Sequence, residues 1–180
     1  AALNDLDIMS CDIGNAYLNA PCREKIWFKA GIECGEHKGK VMIITRALYG
    51  LKSSGAAWRA MFADSLRKMG WIPTRVDADV YRRRGTKPSG ENYYELLLFY
   101  VDDCMVVSHD PERTMKAIGE SYELKDDKYG SPEAYLGAVI EKFTLPDGSE
   151  AWSMRSDKYC KAAVETVKGL LAEDGRELKS

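Results

Sequence analysis

The stretch "ELLLFYVDDCMVVSHD", residues 95–110, sets two adjacent carboxylates, Asp102 and Asp103, inside an otherwise apolar run. An unpaired buried carboxylate costs several kcal/mol, and two side by side also repel each other, so an ordinary core strand does not carry them. The run therefore reads as two apolar strands, "YYELLLFYV" and "CMVVSH", forming a hairpin with the carboxylates at its turn. A tight hairpin makes the two strands antiparallel neighbours.

Upstream, "DLDIMSCD" alternates Leu6, Ile8 and Ser10 against Asp7, Met9 and Cys11 and reads as a strand ending at Asp12. "IGNAYLNAP" follows as a turn and a short irregular or helical segment, and "KIWFKA" with "KVMIIT" makes a second strand pair. From Ser54 the period changes: Ala57, Trp58, Met61, Phe62, Leu66 and Met69 recur every three or four residues, which predicts an amphipathic helix stopping at Gly70. "ADVYRRR" is a predicted strand and "GTKPSGEN" a loop. Arg82, Arg83 and Arg84 in it suit either nucleic-acid backbone or a solvated strand end.

Beyond the hairpin, helical spacing runs from Glu112 to about Tyr122, with Pro111 at the start and Met115 and Ile118 on one face. "YLGAVIEKF" and "AWSMR", joined by "LPDGSE", form another predicted hairpin. A last helix begins at a Ser156 N-cap, has an apolar face from Tyr159 to Leu171 with no partner downstream, and leads into the polar tail "AEDGRELKS". The order of strands and helices predicts an α+β fold, an antiparallel sheet with helices on one face.

The composition narrows the function. With 180 residues, 45% apolar and 30% charged, the chain is long enough for a globular core, and its net charge of -2 gives no global basic field. Any nucleic-acid partner must be held locally. Five widely spaced cysteines without a C-x-x-C pair argue against a disulfide framework or a zinc site and point to a reducing compartment. His37 and His109 have no partner at metal-ligand spacing and read as solvated loop residues. No apolar run reaches the roughly 18 residues of a membrane span. The first residue is Ala rather than Met, as expected of a piece of a longer protein.

Paired aspartates at a turn are a weak signal alone, because Asp suits turns for conformational reasons. Asp12, at the end of its own apolar strand, strengthens it. Three carboxylates converging at strand ends repel unless a divalent cation neutralises them, and hard oxygen ligands suit magnesium. Such a centre serves phosphoryl or nucleotidyl transfer, and equally hydrolysis by a metal-dependent phosphodiesterase.

Five segments make a more specific pattern. "CDIGNAYLNAP" resembles the first palm motif of reverse transcriptases, an Asp followed five residues later by an aromatic. "RALYGLKSSGAAW" resembles the "ALYGLKQSPRAW" segment of copia-type (Pseudoviridae) retrotransposon polymerases, and "YVDD" resembles the reverse-transcriptase metal motif. "YLGAVI" and "SDKYCKAAVETV" resemble the F-L-G primer-supporting segment and the S-Q-x-K-Y-I helix after it. They occur in the family's order and span nearly the whole chain.

The resemblance implies an RNA-directed DNA polymerase domain of a retrotransposon polyprotein. Asp12, Asp102 and Asp103 would be the catalytic carboxylates. With the Ile13 carbonyl they would ligate two Mg2+ ions, for which Mn2+ can substitute, while a primer 3′-hydroxyl attacks the α-phosphate of a deoxynucleoside triphosphate. Tyr17 would be the ring that excludes a ribose 2′-hydroxyl; taken alone it reads as a core aromatic. Tyr49, Gly50 and Lys125 would meet the nucleotide, with Lys125 near the position of a lysine that protonates the leaving pyrophosphate. Lys52, Tyr100, Val101, Tyr135, Leu136 and Gly137 would meet template and primer. Taken alone, Leu136 is ordinary core and Gly137 a strand kink.

Residues 1–130 are expected to be the palm, and 131–180 the primer-grip hairpin and first thumb helix; the family's fingers segment would precede them. The implied partners are an RNA or DNA template with its primer, deoxynucleoside triphosphates, and integrase and RNase H domains of the same polyprotein, with no membrane. The implied location is intracellular, in a cytoplasmic virus-like particle. One departure matters. Ser53, Ser54, Gly55 and Ala56 stand where the family has Gln-Ser-Pro-Arg, losing a polar contact and a positive charge. It leaves room for a second reading, an inactive or domesticated palm fragment with a nucleic-acid-binding or structural role.

Overall fold

The computed structural model describes residues 1–177; residues 178–180, the end of the polar tail, lie outside the described residues. The elements run β1 (Asp7–Ile13), α1 (Ala16–Asn19), β2 (Trp27–Lys29), β3 (Val41–Ile43), α2 (Ser54–Lys68), β4 (Ile72–Pro73), β5 (Val80–Thr86) and β6 (Asn92–Tyr100). They continue with β7 (Asp103–Ser108), α3 (Pro111–Gly119), β8 (Leu124–Gly130), β9 (Ala134–Tyr135), β10 (Ala138–Thr144), β11 (Glu150–Arg155) and α4 (Asp157–Glu173). A six-stranded antiparallel sheet in the order β4-β5-β6-β7-β1-β8 forms the centre. A three-stranded sheet, β11-β10-β9, and the β2–β3 pair complete the strands. The mixed α/β, antiparallel expectation agrees with this. Among the described residues no helix is long and apolar enough to cross a membrane.

Strand alternation gives the large sheet two apolar faces. On one, Cys11, Ile13, Leu97, Phe99, Cys104 and Val106 pack against α2 and α3, with Trp58, Phe62, Leu66, Met115 and Ile118 supplied by the helices. On the other, Ile8 and Met105 pack against Tyr135 and Ile140 of the small sheet. This second face explains why β7 reads as a near-continuous apolar run, being covered on both sides. β6 is covered there only at Leu98, and its Tyr94, Leu96 and Tyr100 are exposed.

Local chemistry sets the helix ends. After α2, Gly70 takes φ 86°, its N–H donates to the Arg67 carbonyl and that of Trp71 to the Leu66 carbonyl. This is a Schellman stop, with buried Trp71 against buried Leu66 as its apolar contact. At α3, the Asp110 carboxylate accepts from the Arg113 N–H at 3.2 Å and Pro111 occupies the first turn. Ser156 stands at the N-cap position of α4 but makes no side-chain cap bond. No residue of α4 is buried among the described residues.

Three local readings need correction. Residues 124–130, given no element by the sequence reading, form a strand that pairs with the outer edge of β1. Its charged "LKDDKYG" sequence hides the alternation, and such charges are what blunt an edge strand. Leu136 is exposed, not core, and Gly137 is not a strand kink. The two are the central residues of the β9–β10 turn, at φ 49° and 80°, as a type I′ turn requires.

The third correction is to the arginine run, which the pleat splits. Arg83 points inward, donating from Nε to Glu95 at 2.5 Å, to the Met69 carbonyl at 3.1 Å and to Thr114 at 3.0 Å, with its guanidinium 4.4 Å from the Trp71 ring centre. Glu95 is 1% exposed and also accepts from the Ser108 hydroxyl at 2.7 Å. This pair ties β5, β6 and β7 to α3 and the end of α2. Glu95→Ala strands the Arg83 charge in the interior, and a loss of about 3–5 kcal/mol in urea unfolding is expected. Arg83→Leu added to Glu95→Ala should recover part of that loss.

Candidate active site

The candidate carboxylates meet through strand register. Asp12 of β1 lies opposite Asp103 of β7, and the Ile13 N–H donates to the Asp102 carbonyl at 2.8 Å. That bond makes Ile13–Asp102 a hydrogen-bonded pair. By alternation Asp12–Asp103 is non-hydrogen-bonded, the kind whose Cα atoms stand about 4.5 Å apart with side chains closest. Asp102 sits in the two-residue turn between β6 and β7, next to its neighbour Val101 at φ 55°. A left-handed backbone is strained for a β-branched residue and costs on the order of 1–3 kcal/mol. The buried indole of Trp58 on α2 holds this turn: its Nε1 donates to the Val101 carbonyl at 2.5 Å.

The crowding has an electrostatic signature. Burial, then the charges of Asp102 and Asp12, push the Asp103 carboxyl above its usual range, and only Lys125 draws it down. Lys125 of β8 places its Nζ 3.0 Å from Asp12 Oδ2, and that hydrogen bond raises the ammonium's pKa. The sequence could place Lys125 only loosely, because the strand that carries it was hidden. Among the described residues no three carboxylate, imidazole or thiol side chains close on one point tightly enough to hold a metal ion, and Asp12 is turned onto Lys125. The donor chemistry nevertheless fits a hard divalent cation: oxygen ligands only, mutually repelling, with an ammonium standing at one of them as counter-charge.

The candidate nucleotide residues gather beside this turn. Tyr17 of α1 packs on Tyr49, ring centres 4.4 Å apart, and Tyr49's phenol is raised by burial and then by the charges of Asp102, Tyr17 and Asp12. A Cβ on Gly55 would stand 3.6 Å from the Tyr17 hydroxyl, so the small residue there sits directly beside the ring. Gly50 takes φ 93°, which explains glycine by backbone conformation rather than by crowding. Lys52 is exposed in the same loop. Ser53 donates both its N–H, at 3.1 Å, and its hydroxyl to Glu24, and buried Ser54 accepts from the Leu48 N–H at 3.0 Å. The altered segment is therefore the N-cap position and first turn of α2, tied in place. Its serines hold it to the body of the protein.

Tyr100 lies in the same cross-strand row as Asp103 and Asp12 and is exposed, while Val101 is half-buried under its bond to Trp58. Tyr135 is buried on the second sheet face, and burial followed by the charges of Cys104 and Asp103 pushes its phenol upward. Leu136 and Gly137 extend from it as the turn already described. Trp58 is the one residue at the turn that sequence reasoning assigned only to a helix face. Its place in "GAAW", in the second turn of α2, carried no signal that an indole N–H was needed.

Comparison with known proteins gives a consistent result. The family described as "Reverse transcriptase (RNA-dependent DNA polymerase)" matches residues 1–144. The chain is 28% identical over 170 residues to the "Retrovirus-related Pol polyprotein from transposon TNT 1-94" of Nicotiana tabacum, covering 92% of this chain and 12% of that protein. It is 23% identical over 146 residues to the "Retrovirus-related Pol polyprotein from transposon RE1" of Arabidopsis thaliana, covering 78% and 9%. A transposon Ty5-1 protein of Saccharomyces cerevisiae is 26% identical over 160 residues, covering 86% and 49%. The chain thus spans about a tenth of the plant polyproteins and about half of the yeast protein. The family match takes in β1, the YVDD turn, Lys125 and the β9–β10 turn together, and on it the chain belongs to the reverse transcriptase (RNA-dependent DNA polymerase) family.

Proposed function

We propose that this chain is the palm, with the start of the thumb, of a copia-type retrotransposon reverse transcriptase, and that it transfers deoxynucleotides to a primer 3′-hydroxyl. The observation that carries the proposal is the Asp12–Asp103 cross-strand pair, with Asp102 on the adjoining turn and a tyrosine pair beside it. Asp12, Asp102, Asp103 and the Ile13 carbonyl would hold Mg2+, which when bound supplies a charge that polarises hydroxyl and phosphate oxygens. Tyr17 and Tyr49 shape the sugar's place. Lys125, 3.0 Å from Asp12, would give a proton to a leaving phosphate oxygen. The Leu136–Gly137 turn projects an exposed leucine for the primer strand. The template, the triphosphates and the neighbouring integrase and RNase H domains are the partners this reading requires, in a cytoplasmic particle.

One observation favours the second reading, an inactive palm fragment. Asp12 is engaged by Lys125, whose ammonium stands where a cation would bind. Primer extension on a homopolymer template with Mg2+ separates the two. The active reading predicts extension by the wild-type chain and its loss in Asp102→Asn; equal signals from both leave only the second.

Two substitutions probe the surroundings. Tyr17→Ala should raise incorporation of ribonucleotides relative to deoxynucleotides, read by competition on one template. Leu136→Gly removes a left-handed leucine and should raise unfolding stability by about 1 kcal/mol while lowering extension.

A further inference from the structure

On β5, alternation turns Arg82 and Arg84 away from the helices, onto the sheet face that the small sheet covers over β1, β7 and Leu98 of β6. There Ile72, Arg82 and Leu96 form one cross-strand row, and Arg84 lies opposite Tyr94 in the next. The Arg82 guanidinium stands 5.3 Å from the Tyr94 ring centre, and the Arg84 guanidinium, then that of Arg82, holds the Tyr94 phenol below its usual pKa. Tyr94 is 47% exposed and Ile72 60%. Arg84 and Tyr94 line two hollows of about 410 and 610 Å³, the first running past Arg82 to Ile72 and the second rounding the sheet by Asn92 toward Tyr93 and Arg113 on the helix side. Among the described residues on this face of β4, β5 and β6 there is no Asp or Glu, although the whole chain carries a net charge of -2. Tyr94 is six residues along β6 from Tyr100, about 20 Å from the Asp12–Asp103 row.

We infer that this open face is a second nucleic-acid contact, separate from the catalytic centre, and that it takes a single strand. A tyrosine ring flanked by two exposed arginines offers a stacking surface for an unpaired base with cations for the phosphates, and the two hollows give room for its neighbours. A duplex offers no free base face to the ring. The charge of the patch selects an anionic partner over an apolar one.

The test is fluorescence anisotropy with labelled 12-nucleotide dT and rA strands in EDTA, so that no metal ion bridges strand and carboxylates. The readout is strand binding and not synthesis, so failure of primer extension does not bear on the result. The Arg82→Gln/Arg84→Gln double variant should raise Kd about tenfold and flatten the slope of log Kd against log salt by about 1.4, the value for two single-strand phosphate contacts. Tyr94→Ala should weaken binding by about tenfold and Tyr94→Phe should leave it near wild type, because stacking needs the ring and not the hydroxyl. Unchanged Kd and slope in both the double variant and Tyr94→Ala overturn the proposal. That is the outcome expected if the face instead docks a neighbouring protein domain. Loss of binding in Tyr94→Phe equal to that in Tyr94→Ala also overturns it, by removing stacking as the cause.

Discussion

The register between β1 and β7 is the constraint on which the rest of the structure depends. A slip of one residue would turn Asp12 to the helix side and Cys11 toward Asp103, since side chains alternate with a period of two. Register is held from both sides. Cys11, Ile13, Cys104 and Val106 are buried against the helices, and Ile8 and Met105 against the small sheet. An apolar residue displaced from either face loses about 1.5–3 kcal/mol of burial, and several would move at once. The like-charge pair at the end of the ladder is thus forced by packing, and its repulsion is offset by Lys125.

The turn that carries Asp102 is held with similar economy. Val101 adopts a left-handed backbone that its side chain disfavours, and the Trp58 indole bonds its carbonyl from beneath. Trp58 in turn stacks on Phe62 and meets Phe99 and Tyr122 edge-on, so an aromatic cluster transmits the rigidity of α2 to the turn. The arrangement links an ordinary core helix to the placement of a carboxylate. Leu136 repeats the theme at the β9–β10 turn, a bulky residue held at positive φ beside the candidate site.

The hairpin, α2 and α3 were legible because their signals are local: apolar period, capping residues, and charges where an apolar run should not have them. β8 was not, because an edge strand with one buried side chain near its start shows no alternation. Leu136 and Gly137 were misread for a related reason, since hydrophobicity alone favours burial and only the pairing of Tyr135 with Ala138 shows the two as turn residues. The split of Arg82 to Arg84 required knowing that Glu95 faces inward. The candidate carboxylates were nameable from sequence, whereas their crowding, the Lys125 contact and the Trp58 bond belong to three-dimensional packing.

The central claim is that the three carboxylates brought together by this register hold a divalent cation. Anomalous scattering from a crystal equilibrated with Mn2+ tests it most directly. The account predicts a peak about 2.1–2.2 Å from oxygens of Asp12 and of Asp102 or Asp103, with Lys125 moved off Asp12. A crystal at saturating Mn2+ with no peak at these carboxylates, and with Lys125 still bonded to Asp12, would contradict it.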